Sequence, residues 1–310
     1  MKISIVIPNF NGEIILRKNL SAVFKVSHVD EIIVVDDGST DGSIETIKSE
    51  TRRLYSGKEL KIITNEKNLG FSSAVNRGVK ESNGEVVVLL NTDVVPQADF
   101  LESLLVHFED PQIFAVGCLD KSIENGGTVL RGRGVGRWER GFLVHSRGEV
   151  DKTDTLWVSG GSGAFRKELW EKLGGMDELY NPFYWEDIDL SYRAQRAGYK
   201  ILFEPKSVVV HRHEKGIIKQ RYSSSQVKTI AYRNQFIFVW KNIDDFGLLF
   251  DHLFWLPYHL INALFRLDWQ LFFGFLKAVL LIPRVISQKS KYLTPPFLTD
   301  RQVLKKFGGY

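Results

Sequence analysis

The sequence predicts an α/β protein: a mostly parallel sheet with helices on both faces, followed by a helical C-terminal appendage. Three observations predict it. Short apolar, β-branched runs alternate with stretches whose apolar residues fall at helical spacing. Those runs are apolar throughout and do not alternate with polar residues, as expected of strands covered on both faces. Beyond Ser223 the pattern turns helical and strongly apolar through Ile286.

The elements follow in order. Residues 3–7 and 31–35 are strands ended by Pro8 and Asp36, and between them Ile14, Leu16, Leu20, Val23 and Phe24 mark a helix. A helix near Ser43–Tyr55, a strand at Lys61–Thr64, a helix at Gly70–Glu81 and a strand at Val86–Leu90 continue the alternation. Residues 98–109 read as helix and Ile113–Cys118 as strand, while the Gly- and Arg-rich stretch from Asn125 to Gly148 reads as loop or hairpin. Leu156–Phe165 is expected to be a strand broken by Gly160, Gly161 and Gly163. Lys167–Leu173 is a short helix stopped by Gly174-Gly175, and Trp185–Ala197 is a helix with Gly198 just past its end. Ile201–Phe203 and Ser207–Val210 are extended, and no internal repeat is visible.

Composition bounds the function. Of 310 residues, 44% are hydrophobic and 25% charged, the balance of a folded globular protein. The single Cys118 excludes an internal disulfide or a cysteine zinc site. Met1–Pro8 is expected to be a strand and not a signal peptide, since it has neither a basic start nor a long apolar core. Charge is unevenly placed, −5 over residues 1–200 and +9 over residues 201–310. A basic, aromatic tail behind an acidic body suggests a surface that meets phosphates of a membrane or a nucleic acid.

Ligands of such sheets sit beyond the carboxyl ends of the strands. Here those ends read Pro8-Asn9-Phe10-Asn11, Asp36-Asp37-Gly38-Ser39, Asn65 to Gly70, and Asn91-Thr92-Asp93. Pro-Asn-Phe-Asn-Gly stands where a dinucleotide site needs its glycine fingerprint, and no Walker A lysine motif exists, which argues against NAD and P-loop sites. Asp93 could anchor magnesium or manganese on a diphosphate, although Asn and Asp are equally at home in a strand-end turn. Phe183-Tyr184-Trp185 precede Glu186-Asp187 at a helix start. Acidic residues there suit the helix dipole; the adjoining rings suit a sugar, and a carboxylate among them suits a general base. His211, with His213 two residues on, follows Val208–Val210 at a strand end near the crevice.

Together these segments resemble glycosyltransferase family 2, inverting enzymes of GT-A fold, and within it the rhamnosyltransferase-like branch that builds bacterial surface polysaccharides. The matching stretches are Ile3–Gly12, Ile32–Ser43, Asn65–Gly78, Val86–Pro96, Ser159–Arg166 and Tyr184–Gly198, followed by Val208–His211, in the family's order. The resemblance implies a GT-A, Rossmann-like sheet flanked by helices. It implies a nucleotide-diphospho-sugar donor held by Pro8, Asn9, Asn11, Asp36, Asp37, Asn68, Asn91 and Thr92, with Asp36 or Asp37 near the base and ribose. Asp93 matches the last aspartate of the family's metal motif, Asn91 replaces the first, and His211 matches a histidine that completes the metal or diphosphate site. A divalent cation, Mg2+ or Mn2+, is therefore expected. Asp187 matches the catalytic base, and Trp157, Gly160, Gly161, Tyr184, Trp185 and Glu186 match the donor-sugar and acceptor pocket. The expected acceptor is a saccharide or a lipid-linked saccharide.

On this reading residues 1–222 form the catalytic domain, with a nucleotide-sugar half of about 1–96 and an acceptor half of about 97–222, and residues 223–310 form a helical region. Phe246–Leu264 and Trp269–Ile286 are long and apolar but interrupted by Asp251, His252, Arg266, Asp268 and Lys277, which fits a spanning helix poorly. Lys277, Arg284, Lys289 and Lys291 beside Trp, Phe and Leu suit helices lying in a membrane interface. Packing on the catalytic domain, or on a second subunit as a homodimer, stays open. The expected location is cytoplasmic, peripheral on the inner face of the cell membrane. Nucleic acid is not an expected partner, because the aromatics sit in apolar helices and not between clustered cations. Two other readings compete. A sugar nucleotidyltransferase would carry a basic Gly-rich loop after the first strand, which Phe10-Asn11-Gly12 lacks, and a non-catalytic nucleotide-binding scaffold would not need Asp93, Glu186-Asp187 and His211 together.

Overall fold

The computed structural model describes residues 1–53, 58–124, 126–212, 218, 221–291 and 297–308. Strands β1 (Ile3–Asn9), β2 (Glu31–Asp36), β3 (Glu59–Thr64) and β4 (Val86–Leu90) form the parallel half of one sheet, joined by helices α1 (Glu13–Phe24), α2 (Ser43–Arg53) and α3 (Phe71–Lys80). The other half adds β5 (Val94–Pro96), β6 (Ile113–Glu124), β10 (Ser162–Arg166) and β11 (Lys200–Arg212), in the order β3-β2-β1-β4-β10-β6-β11-β5. Strand β10 runs antiparallel to both its neighbours and β5 antiparallel to β11, whereas β11 is parallel to β6.

The two faces of β1 explain why its sequence is apolar throughout. Ile3, Ile5 and Ile7 join Leu16, Leu20 and Val23 of α1 in one core, and Val6 joins Ala74, Val75 and Val79 of α3 in the other. Each fully buried side chain of this size contributes roughly 1.5–3 kcal/mol relative to exposure. Helix α3 comes close because Gly78 faces the sheet; a Cβ there would lie 2.4 Å from Val6 Cγ1.

Between β6 and β10 the chain is more ordered than its composition predicts. The stretch from Asn125 to Gly148, expected as loop or hairpin, holds three strands: β7 (Gly127–Arg131) on the edge of β6, and the separate hairpin of β8 (Gly134–Glu139) and β9 (Phe142–Arg147). The hairpin turns at Arg140-Gly141, whose φ values of 47° and 80° are those of a two-residue turn matching strand twist. Conversely, the strand expected over Leu156–Phe165 begins only at Ser162, because the preceding residues bend past the sheet's end. The two extended segments near residue 205 are one strand, β11, whose register with β6 shifts between Glu204 and Val208 around Pro205.

Helices α4 (Phe100–Leu105), α5 (Lys167–Lys172) and α6 (Glu186–Arg196) complete the catalytic half. Helices α7 (Ser224–Asn242), α8 (Phe246–Phe265), α9 (Trp269–Val279), α10 (Ile282–Lys291) and α11 (Asp300–Lys305) follow. They share a third core with it: Phe236, Ile237, Phe238 and Val239 of α7 pack with Trp138, Phe142, Trp185, Ile188 and Tyr192. A buried ion network ties the same parts, with Lys241 2.6 Å from Asp177 and 2.8 Å from Asp189, and Arg196 paired with Asp300.

Candidate active site

The polar ends of β1 and β2 are wired to each other. Asn9 donates to Asp36 Oδ1 (2.7 Å), and Ser39 donates to both Asp36 oxygens through Oγ (2.6 Å) and N–H (3.0 Å). Asn11, at φ 49°, receives the Thr40 N–H at 2.8 Å. Asp37 accepts from Asn65 (2.6 Å) and from the N–H groups of Leu69 and Gly70 (3.0 and 2.9 Å). Asp36 and Asp37 are thus buried, and their oxygens brace the loops that line the crevice. Asn68 is half-buried in the loop that Asp37 holds, and Gly38, at φ 75°, lets that loop pass close, a Cβ there falling 2.8 Å from the Asn68 nitrogen. Pro8 is half-buried at the end of β1, and Thr92 is pinned by Asn19, which donates to its carbonyl at 2.9 Å.

Asp93 and His211 are brought together by strand pairing. Val94 of β5 sits opposite His211 of β11, and His211 Nε2 lies 3.1 Å from Asp93 Oδ2. On the other ring edge His211 Nδ1 lies 3.1 Å from Asp120 Oδ2, and Asp120 is fixed by Ser122 at 3.0 Å. Burial pulls the imidazole down, but hydrogen bonds and charge from Asp120 and Asp93 outweigh it and hold His211 at about 9. Among the described residues no three His, Cys, Asp or Glu converge on one point. The donor set would nonetheless suit a hard divalent cation once His211 gives up its proton: one carboxylate and one imidazole nitrogen face each other, and the second imidazole nitrogen is oriented by a carboxylate, as is usual behind a ligating histidine. His213 lies outside the described residues.

A glycine pair links this strand end to the carboxylates of α6. Gly161 O accepts from the Asn91 N–H at 2.9 Å, and a Cβ on Gly161 would lie 2.6 Å from Asn91 Nδ2. Gly160 N–H points at Asp187 Oδ2, 3.4 Å away, and the Ile188 N–H donates to Oδ1 at 2.8 Å. Burial pushes Asp187 up to about 6 against the pull of those two N–H groups. Burial, and then the neighbouring Asp187 charge, push Glu186 well above the usual carboxylate range. Glu186 is 6% exposed and its Oε2 has no hydrogen-bond partner among the described residues. Burial thus disfavours the charge on Glu186 more than on Asp187, which is half-buried beside it: two adjacent carboxyls whose environments push them apart.

The turn into α6 is strained. Tyr184 and Trp185 both adopt the left-handed region, at φ 72° and 78°, a conformation that side-chain-bearing residues avoid unless the surroundings enforce it. The enforcing group is Asn234 of α7, whose Nδ2 donates to the carbonyls of Tyr180, Phe183 and Tyr184 at 2.9, 3.0 and 2.8 Å. Arg233 adds bonds to the carbonyls of Tyr180 and Asn181, at 3.2 and 2.6 Å. The turn exposes Tyr184 by 43% and buries Trp185 to 5%. Trp185 packs on Phe238 and on His145, and His145 in turn contacts the half-buried Trp157, with centroids 5.2, 5.0 and 5.4 Å apart.

Comparison with known proteins gives the family. The model of the family described as glycosyl transferase family 2 matches residues 4–174, more than half of the chain. The chain belongs to glycosyl transferase family 2. It is 26% identical over 220 residues to the O-antigen chain rhamnosyltransferase RfbN of Salmonella typhimurium, covering 69% of this chain and 67% of that one. It is 28% identical over 213 residues to the probable glycosyltransferase YdaM of Bacillus subtilis, covering 67% of this chain and 50% of that one. The chain thus spans two thirds of one relative and half of the other. Among solved structures, a mannosyltransferase from Pyrobaculum calidifontis, in complex with GDP-Man and Mn2+, superposes with a TM-score of 0.60 at 18% identity, over 94% of this chain and 79% of that one. GalNAc-T7 with UDP, GalNAc and Mn2+ superposes with a TM-score of 0.65 at 22% identity, over 80% of this chain and 49% of that one. These likenesses establish the GT-A fold for this family 2 chain.

Three site residues escaped the sequence reading. Asp120 stands mid-strand with no local motif, and only the parallel pairing of β6 with β11 brings it to His211. Asn234 looks like one more polar residue of an apolar helix, and His145 lies in a stretch expected as loop or hairpin, where nothing marks it as a contact of the aromatic cluster.

Proposed function

We propose that this family 2 chain transfers a sugar from a nucleoside-diphospho-sugar to a hydroxyl of a saccharide or lipid-linked saccharide, with inversion at the anomeric carbon. The observation that carries the reading is Asp187. It is a carboxylate raised to about 6 beside Glu186, whose charge burial disfavours still more, and it is linked through Gly160-Gly161 to the strand end that bears Asp93. Asp187 takes the proton from the acceptor hydroxyl as that oxygen attacks, a role best filled near its own pKa. The crevice walls set by Asn9, Asp36 and Asp37 hold the nucleotide, and Tyr184 and Trp157 offer ring faces to the sugars. Asp93 and His211, with Asp120 behind, would hold a divalent cation, which supplies charge neutralisation to the departing diphosphate. The name of one relative supports the saccharide acceptor, an O-antigen chain rhamnosyltransferase.

The test is Asp187→Asn, assayed for transfer from a panel of nucleotide sugars and, by calorimetry, for nucleoside diphosphate binding with Mn2+. Transfer is expected to fall on the order of a hundredfold or more, the range of a lost general base, with nucleotide affinity kept within about twofold. Near-normal turnover in the variant would remove Asp187 from the mechanism, and failure of the parent to bind any nucleotide would remove the reading as a whole.

A further inference from the structure

Of the large hydrophobic side chains exposed among the described residues, two thirds lie between Phe246 and Ile286, on α8, α9, α10 and the turns joining them. On α8 they share one face: Phe246, Phe250, Leu253, Phe254, Ile261 and Phe265 recur at helical spacing, and the exposure of Phe246 and Phe265 reaches 82%. A soluble monomer rarely leaves so continuous an apolar surface open. Among the described residues no single helix is long and apolar enough to cross a membrane; α9 and the start of α10 together reach the length and composition of a span, but they meet at a bend of 59°. These helices therefore suit the plane of an interface better than its normal.

Charge identifies what would cover the face. Lys277 is exposed beside Phe273 and Leu276, Arg284 is exposed at the edge of the face, and neither has a carboxylate partner among the described residues. The two acids of these helices are spent elsewhere: Asp251 on Trp138 Nε1 and the Gly141 N–H, Asp268 on Lys228 and Tyr232. Arg284 also reaches a groove of about 970 Å³ between α10 and α3, with Arg77, Lys80 and Arg233 on its walls against one carboxylate, Glu178. Burial pulls Arg233 down to about 10, a cost that an incoming anion would relieve. Arg233 also holds the loop before Tyr184, so the groove adjoins the candidate active site. A second copy of the chain fits less well, because a two-fold contact would set this predominantly cationic patch against itself.

We propose that the apolar face of α8–α10, with the basic groove against α3, seats the protein on a bilayer containing anionic phospholipid, the phosphate headgroups in the groove and the rings of Phe250, Phe254 and Phe273 among the acyl chains. The surface stands on its own observations and does not depend on the transfer reaction. The full chain, mixed with phosphatidylcholine vesicles with or without phosphatidylglycerol, is expected to sediment with the anionic vesicles and to be released by salt. Replacing Lys277 and Arg284 together by Gln should weaken that binding on the order of thirtyfold, as two lost surface cations require. Phe250→Ser with Phe273→Ser should weaken binding to anionic vesicles at every salt concentration, and circular dichroism would show both variants folded. Equal binding to neutral and anionic vesicles overturns the proposal. So does failure to bind either, together with a dimer in sedimentation that Phe250→Ser dissociates, in which case a second copy covers the face.

Discussion

Replacing Asn234 by Ala should uncouple the strained turn at Tyr184-Trp185 from the rest of the protein. Its Nδ2 is the sole described donor to the carbonyls of Phe183 and Tyr184, whereas Tyr180 keeps a bond from Arg233. A buried carbonyl left without a partner costs roughly 1–3 kcal/mol, so two of them put the loss at roughly 2–6 kcal/mol. The backbone can avoid part of that cost by letting residues 180–185 swing toward water, and that movement takes Asp187 with it. Stability measured by urea unfolding should therefore fall by less than the full sum, about 2–4 kcal/mol. Turnover should fall about tenfold or more, each 1.4 kcal/mol of lost positioning being a factor of ten. Nucleotide affinity should hold within about twofold, since Asn9, Asp36 and Asp37 lie on other elements. Asn234→Asp separates geometry from shape, because it keeps the volume and the bond from Arg233 but removes the donor. A stability loss under about 1 kcal/mol with unchanged turnover in both variants would refute the argument that this amide enforces the turn.

Two further outcomes follow from the site. Transfer efficiency should climb as pH rises through about 6, because Asp187 must lose its proton to act and burial holds it there; a pH profile flat from 5 to 8 would contradict this, and Asp187→Glu should move the limb. Asp120→Asn should weaken Mn2+-dependent nucleotide binding by about 10–100-fold, the usual effect of losing the carboxylate behind a ligating histidine, while binding without the cation stays as it was.

The alternation of strands and helices was legible because a parallel sheet buries both faces of each strand and leaves an apolar run in the sequence. The positions of Asp93 and His211 were legible for the same reason, since each lies in the polar stretch that ends such a run. What the spacing could not say is which way a strand-end side chain turns. Asp36 and Asp37 stand where nucleotide ligands are expected, yet their oxygens hold Ser39, Asn65 and the Leu69-Gly70 backbone. Trp185 stands among pocket residues, yet its left-handed backbone sends the ring into the third core. Asp120 and Asn234 were illegible because each acts on a partner about 50 or more residues away, a distance fixed by sheet register and helix packing alone.

The buried pairing of Arg196 with Asp300, and of Tyr192 with the same carboxylate at 2.7 Å, gives the site an order of assembly. A chain emerging from the ribosome can close β1 to β4 early, since all their pairing partners lie between Ile3 and Leu90. Helix α6 and its carboxylates must wait for α7, and then for α11, before their charges are matched. At roughly 5–20 residues per second that wait is on the order of ten seconds, during which Asp189 has Arg193 and the Tyr180 hydroxyl, and Arg193 also the carbonyls of Leu173 and Gly175, as described partners. On the proposed roles, a nascent chain stalled or clipped before Asp300 would carry the crevice at the ends of β1 and β2 but a helix α6 still unanchored, able to hold a donor but not to use it.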